Sequence, residues 1–150
     1  MIKLKNEEEF VVNLTLSGTQ TTTTTSQAGR VCSPPMPYAG RIKAIYAVLG
    51  TAGTTNTQTT DILKNGTTIA SSGTVLSFAT TSTTPTYATL VSSNLPIVAK
   101  GDVLQAVNTA IHTTPAIDCA IAVVIQRFKV ADPVGATETG TYGVGLDSVS

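Results

Sequence analysis

The 150-residue chain is poor in charge: charged residues make up 12% of it, against about 25% in an average soluble domain. Its nine acidic and nine basic residues balance, so the chain has no electrostatic reason to bind nucleic acid or an anionic membrane. Aromatic residues are only 5% and tryptophan is absent. We therefore expect one small domain whose core is mostly aliphatic, and its abundant threonine favours strands.

The N-terminal region, residues 1–38, begins with charge and continues as an alternating, strand-like run from Phe10 to Leu16. Three prolines between residues 34 and 37 then exclude helix and predict an extended, irregular segment. Two interpretations are open: an apolar arm that lies across another surface, or a first strand and Pro-rich loop of the same domain. Under the arm hypothesis a chain without residues 1–38 still folds, and the interface residues are Phe10, Val12, Leu14, Leu16, Pro34, Pro35, Met36 and Tyr38.

Residues 39–128 carry the strand and turn signals of a sandwich core. Asn65-Gly66 separates two short β-forming runs, and this pair predicts a hairpin because a type I′ turn needs positive φ at both central positions. A second tight turn is predicted at Gly101-Asp102. Strands are predicted at residues 41–49, 59–64, 67–71, 74–78, 86–92, 97–99, 103–109 and 117–128.

Two predicted strands have informative faces. The strand Arg41–Leu49 is apolar on both faces after its basic start, which predicts a central strand or one covered by a partner. Short strands at regular spacing without helical periodicity predict an all-β fold, an antiparallel, jelly-roll-like β-sandwich with extended N- and C-terminal arms. In the last strand, the residues predicted to face the core are Ile117, Cys119, Ile121, Val123 and Ile125.

The C-terminal segment, residues 129–150, is small, polar and glycine-rich until about Gly140. Beyond it, Tyr142, Val144 and Leu146 alternate with smaller residues. Apolar side chains at every second position favour addition as a strand to the sheet edge of a neighbouring chain. A frayed terminus is the alternative.

Reactive groups are few and scattered. His112 is the only histidine and lies in a predicted loop, where we expect it to be exposed. The carboxylates Asp61, Asp102 and Asp118 are dispersed, and Cys119 is expected to be a buried small hydrophobic residue. We therefore expect no catalytic residue, no cofactor and no metal site, and we do not expect an enzyme.

The chain carries no convincing targeting signal. Residues 1–9 are too charged for a secretory signal peptide, and the longest apolar run, Ala120–Ile125, is far below the ~20 residues of a membrane helix. Two cysteines make no disulfide framework. Synthesis and assembly in a reducing cytoplasm fit these features.

Three stretches of the chain, Gly40–Ala52, Asp61–Ile69 and Ala99–Leu104, resemble small β-rich structural proteins of tailed bacteriophages. The resemblance is to head decoration proteins and to head or tail fibre modules. It implies a jelly roll that forms homotrimers on the outer capsid, with terminal arms that clasp neighbouring copies and the major capsid protein.

The expected function is therefore a non-enzymatic structural protein that stabilises a phage capsid from its exterior. Its expected partners are the major capsid protein and further copies of itself, with no nucleic acid and no membrane. The alternative is a receptor- or carbohydrate-binding module of a head or tail fibre. That alternative needs a recognition site, and the scarcity of aromatic residues counts against it.

Overall fold

The computed structural model describes residues 8–21, 30–70, 76–87 and 95–128, and over these residues the protein is all-β without helix. The strands of this part of the chain are β1 (Glu9–Asn13), β2 (Leu16–Thr19), β3 (Arg30–Cys32), β4 (Gly40–Thr51), β5 (Gln58–Lys64), β6 (Thr67–Thr68), β7 (Leu76–Phe78), β8 (Thr86–Tyr87), β9 (Ile97–Val98), β10 (Leu104–Ala110) and β11 (Ile117–Arg127).

The strands form two antiparallel sheets that pack together. Sheet A has the order β1-β11-β4-β8, with β2 also pairing with β11 and β9 also pairing with β4. Sheet B has the order β3-β10-β5-β6, with β7 also pairing with β5. The first described strand, β1, therefore lies beside the last, β11.

Three pairs of short strands share single positions in these sheets: β1 and β2 beside β11, β6 and β7 beside β5, and β8 and β9 beside β4. Counted this way, the described chain has eight strand positions, in the order 1-8-3-6 in sheet A and 2-7-4-5 in sheet B. This is the order of a jelly roll, a long antiparallel hairpin rolled into two sheets. The predicted all-β, antiparallel, jelly-roll-like β-sandwich is confirmed.

The jelly-roll path gives the domain two different ends. The terminal end carries the β5–β6 and β9–β10 turns, residues 33–39 and the two residues that bound the described chain, Glu8 and Phe128. The loop end carries the β4–β5, β7–β8 and β10–β11 connections, where Thr54 and Thr114 form a β-bridge. These two names are kept below.

The core between the sheets is aliphatic, as its composition predicts. Alternate residues of the long strands point inward, and each fully buried Leu or Ile side chain stabilises the fold by about 1.5–3 kcal/mol. The largest fully buried apolar side chains are Leu14, Ile42, Ile45, Ile62, Leu76, Leu104, Ile121 and Ile125.

The four long predicted strands agree with the structure, whereas residues 69–70 of the predicted strand 67–71 lie beyond the end of β6. The bounds of β4, β5, β10 and β11 fall within two residues of the predicted ones. β4 lies between β11 and β8, so the prediction of a central strand is confirmed. The predicted strand residues 71, 74–75 and 88–92 lie outside the described residues.

One face prediction needs correction. Cys119, Ile121, Val123 and Ile125 are buried, but Ile117 is 40% exposed. The pairing of β11 with β2 shifts between Ile117 and Cys119, and the intervening Asp118 has φ of 56°. This irregularity breaks the strict alternation that the sequence pattern assumes, so the first residue of β11 turns away from the core.

The N-terminal segment also needs correction, because its described part is a strand of the sandwich. Val12, Leu14, Leu16 and Met36 are buried in the core, so their side chains are not presented on an arm. β1 pairs with β11 over its full length, and the Leu14 N–H continues this ladder with a 2.8 Å bond to the Ile121 carbonyl. Of the two interpretations, a first strand followed by a Pro-rich loop describes these residues.

The two predicted turns meet at the terminal end. Asn65 and Gly66 have φ of 51° and 88°, as their turn requires. The Asn65 side chain donates to Asp102 Oδ1 (2.8 Å) and accepts the Val103 N–H (2.9 Å). The Ala99 N–H donates to Asp102 Oδ2 (2.8 Å). This bond first, and the Asn65 bond second, hold the pKa of Asp102 below its ordinary value.

Candidate interaction surfaces

The outer face of sheet A is unusually apolar for a surface that faces away from the core. Register places Ala120 beside Val48, Ala122 beside Tyr46, and Val124 beside both Ala44 and Val11. Of these, Val11 is 52% and Tyr46 is 44% exposed. We call this surface the apolar face; it consists of Val11, Ala44, Tyr46, Val48, Ala120, Ala122 and Val124.

A shallow groove of about 230 Å³ crosses the apolar face. Tyr46 and Val48 of β4 form one side, and Ala120 and Ala122 of β11 lie at its floor. The small side chains of Ala120 and Ala122 leave this groove open, and larger side chains at these positions would fill it. Polar groups reach the groove at its margins, from Asn13 and Thr15.

The outer face of sheet B is different in kind. The outward positions of β5, β7 and β10 hold Thr59, Asp61, Leu63, Ser77, Gln105, Val107 and Thr109, and of these Asp61 and Val107 are buried. Thr59 and Thr109 join through their hydroxyls at 2.6 Å. A polar outward face is the ordinary pattern of an antiparallel sheet with one solvated side. Sheet B, with two apolar residues among these seven positions, is closer to that pattern than sheet A.

A cluster of aromatic and arginine side chains lies at the terminal end, which we call the terminal cluster. The Arg127 guanidinium stacks 3.8 Å from the centre of the Tyr38 ring, and Arg41 lies 5.2 Å from that of Phe128. Phe10 meets Tyr38 edge to face, with ring centres 6.1 Å apart. Such contacts hold the arginines in place without removing their outward hydrogen-bond donors.

The terminal cluster joins the two bounds of the described chain. The Arg127 N–H donates to the Glu8 carbonyl (2.7 Å), and its guanidinium pairs with the Glu8 carboxylate (2.9 Å). Lys43 pairs with Glu9 at 2.7 Å. These ion pairs are largely solvent-exposed, so each contributes at most about 1 kcal/mol to stability.

The structure separates the predicted interface residues into three groups. Phe10 and Tyr38 meet in the terminal cluster, and Pro34 and Pro35 are exposed near it. Val12, Leu14, Leu16 and Met36 belong to the core. The predicted C-terminal interface residues fall outside the described residues: Tyr142, Val144 and Leu146.

Sequence reasoning missed the cationic half of the terminal cluster. Arg127 and Phe128 lie far from Tyr38 and Arg41 in sequence, and only the pairing of β11 with β4 brings the two pairs together. The apolar face had a usable signal, since β4 is apolar on both faces. The matching Ala120 and Ala122 of β11 carry little signal, because alanine is common on either side of a strand.

A buried polar network lies between the sheets near the loop end. Asn108 of β10 accepts a 2.8 Å bond from Thr60 and donates a 2.9 Å bond to Gln20. Gln20 in turn donates to the Leu16 carbonyl at 3.0 Å. The network ties the N-terminal segment to sheet B and favours one register of the two sheets, because each shift would leave buried polar groups unpaired.

The prediction that His112 is exposed is wrong. Its side chain is 1% exposed, and neither ring nitrogen has a hydrogen-bond partner in the described part of the chain. The β10–β11 connection folds inward against the β4–β5 loop, where the Thr113 N–H bonds to the Thr55 carbonyl. Gly53 makes room for the imidazole, since a Cβ at that position would clash with the ring.

The remaining titratable groups are isolated. Burial raises the pKa of the Cys119 thiol to about 12, while Cys32 is exposed, and both are free thiols. Desolvation raises the pKa of Asp61, against smaller opposing effects of hydrogen bonds from Thr68 and Ile62. Over residues 8–21, 30–70, 76–87 and 95–128, no three His, Cys, Asp or Glu side chains come close enough to hold a metal ion.

Within the same described ranges, no helix has the length and hydropathy to span a membrane. Comparison with protein-family models, curated proteins and solved structures found no match to this chain. Function is therefore argued from the surfaces of the fold itself.

Proposed function

We propose that this protein is a non-enzymatic structural protein that decorates and stabilises a phage capsid by binding the outer shell of its major capsid protein. The observation that carries the proposal is the terminal cluster. Arginine and aromatic side chains are the residues most enriched at the energetic centres of protein interfaces. Here Tyr38, Arg41 and Arg127 form such a group on an otherwise weakly charged protein.

The jelly roll supplies a rigid platform for this surface. Both bounds of the described chain, Glu8 and Phe128, lie at the terminal end, so the segments before and after them start from the same end. If that end faces the shell, residues 129–150 start close to neighbouring subunits. Their alternating Tyr142, Val144 and Leu146 are suited to adding a strand to a neighbour's sheet edge.

The proposal places the protein on the virion exterior after assembly in the host cytoplasm. Its partners are the major capsid protein and two further copies of itself in a homotrimer. When linked copies bind a symmetric shell, each single contact needs little affinity, because the first contact raises the effective concentration of the next binding group at its site. Stabilisation follows by mass action, since the protein binds the assembled shell better than the dissociated one.

Co-sedimentation with expanded empty capsids of the phage that encodes the chain tests this proposal. Tyr38→Ala removes the ring between Arg127 and Phe10 and should weaken capsid binding by about tenfold or more. Thr57→Ala changes an exposed residue of the loop end and serves as the matched control, with binding unchanged. Both variants should keep the wild-type circular dichroism spectrum, since both positions are exposed.

The groove on the apolar face supports a second candidate function. In this groove Tyr46 lies across β11 from Asn13 and Thr15, so an aromatic side chain and hydrogen-bonding groups line the same depression, a combination that suits a sugar ring. A receptor- or carbohydrate-binding module of a fibre would then be the function. Binding to glycans or host cells, together with failure to bind capsids, would favour this candidate and overturn the decoration proposal.

A further inference from the structure

The apolar face is the strongest unexplained surface of the described protein. Its central positions are filled by Ala120, Ala122, Val48 and Tyr46, whereas most outward positions of β5, β7 and β10 in sheet B hold polar residues. A soluble protein rarely leaves a contiguous apolar patch of several hundred Å² uncovered without a partner. The pattern therefore points to an interface, and the question is what covers it.

The size of the face fits a second protein molecule. Sheet A is four strand positions wide and β11 is 11 residues long, so strand spacing and rise give its whole outer face ~19 Å by ~36 Å, or ~700 Å², with the apolar face at its centre. Each partner in a standard stable interface contributes about 800 Å². A small ligand in the groove would leave most of this face uncovered.

The charges around the face favour a second copy of this chain over a charged partner. A surface that binds itself must not repel itself. At its terminal-end rim, Glu8, Glu9, Lys43 and Arg127 form two ion pairs within one molecule. Arg41, which lies over the Phe128 ring, adds one positive charge there. The chain as a whole carries no net formal charge, so two copies approach without long-range repulsion.

We infer that the apolar face is the surface through which copies of this chain associate. The inference names the interface for the self-association that the decoration proposal includes, and it does not depend on capsid binding. The face runs along the strands and lies beside the terminal end, so the two contacts use different surfaces. One copy can therefore bind its neighbours through sheet A while its terminal end faces the shell.

A change of charge at the centre of the face tests the inference. Ala120 is exposed and small, so Ala120→Glu should fold, but it would place an unpaired carboxylate in the interface. Light scattering after size exclusion should show wild type at a multiple of 15.4 kDa and Ala120→Glu at 15.4 kDa. The matched control, Ser77→Glu on the outer face of sheet B, should keep the wild-type mass.

Thiol accessibility gives a second, less disruptive measurement. In a Cys32→Ser background the one remaining native cysteine is Cys119, which is buried and unreactive. An Ala120→Cys thiol in this background should be alkylated at least tenfold more slowly above the association concentration than below it. Ser77→Cys should react at the same rate at both concentrations. Equal rates at both concentrations for Ala120→Cys would show that the face stays uncovered.

The outcomes separate the two proposals. A wild-type monomer at millimolar concentration, or an Ala120→Glu variant that keeps the wild-type mass, would overturn the inference. Normal self-association without capsid binding would leave the inference standing and overturn the decoration proposal alone.

Discussion

Leu14→Ala tests most sharply whether the N-terminal segment is part of the sandwich. Leu14 lies between β1 and β2 in the sequence, and its side chain is fully buried in the core between the sheets. The substitution removes apolar carbons worth about 0.8 kcal/mol per buried methylene and leaves a cavity behind. We expect a loss of about 2–5 kcal/mol in the free energy of unfolding, a large share of the 5–15 kcal/mol typical of a domain.

Urea unfolding followed by circular dichroism measures this loss. With a slope of about 2 kcal/mol/M, a 3 kcal/mol loss lowers the midpoint by ~1.5 M. Val11→Ala, three residues earlier on the exposed face, is the matched control and should cost less than about 1 kcal/mol. A Leu14→Ala midpoint equal to that of wild type would refute the reasoning and restore the arm interpretation, under which a chain lacking residues 1–38 folds normally.

Four further predictions concern the turns and the titratable groups. Asn65→Ala removes two side-chain hydrogen bonds and puts alanine at φ of 51°, so it should lose about 1–3 kcal/mol in urea unfolding. Asn65→Gly should lose less, and equal losses would show that backbone strain is unimportant there. The lowered pKa of Asp102 contributes to the free energy of unfolding. This contribution is present above the pKa of the unfolded state, ~3.9, and is lost as the pH falls through the pKa of the folded state. The advantage of wild type over Asp102→Asn should therefore disappear in acid, and an advantage constant with pH would contradict this. For Asp61 the pKa is raised, so ionisation of this carboxyl lowers the free energy of unfolding. Asp61→Asn should therefore gain stability relative to wild type as the pH rises from 3 to 7. Finally, Ellman's reagent should titrate one thiol, Cys32, in the native protein and a second, Cys119, only after unfolding; rapid reaction of both in the native state would contradict the burial of Cys119.

Local patterns in the sequence were sufficient for the strands and turns. Alternation marked β11, two-sided hydrophobicity marked β4 as central, and Asn65-Gly66 marked a hairpin because few residues adopt its backbone conformation. Strand partners were another matter. The pairing of β1 with β11 joins opposite ends of the described chain, and no local pattern predicts which distant strand will pair with the strand that contains Val12.

The misplaced residues follow from the same limit. Ile117 was assigned inward by strict alternation, which the irregularity at Asp118 breaks. His112 was assigned to an exposed loop, but the absence of a side chain at Gly53 on another loop makes a buried site for it. The terminal cluster likewise depends on the register of β4 against β11, so Arg127 could not be grouped with Tyr38 from sequence.

Electron cryo-microscopy of expanded empty capsids incubated with the protein tests the central claim, capsid decoration, most directly. The account predicts added density on the outer surface of the shell, with three copies around a local three-fold axis and the terminal end, marked by Tyr38 and Arg127, against the major capsid protein. Capsids that remain bare at saturating protein, or density in which the loop end carrying Thr54 contacts the shell, would contradict it.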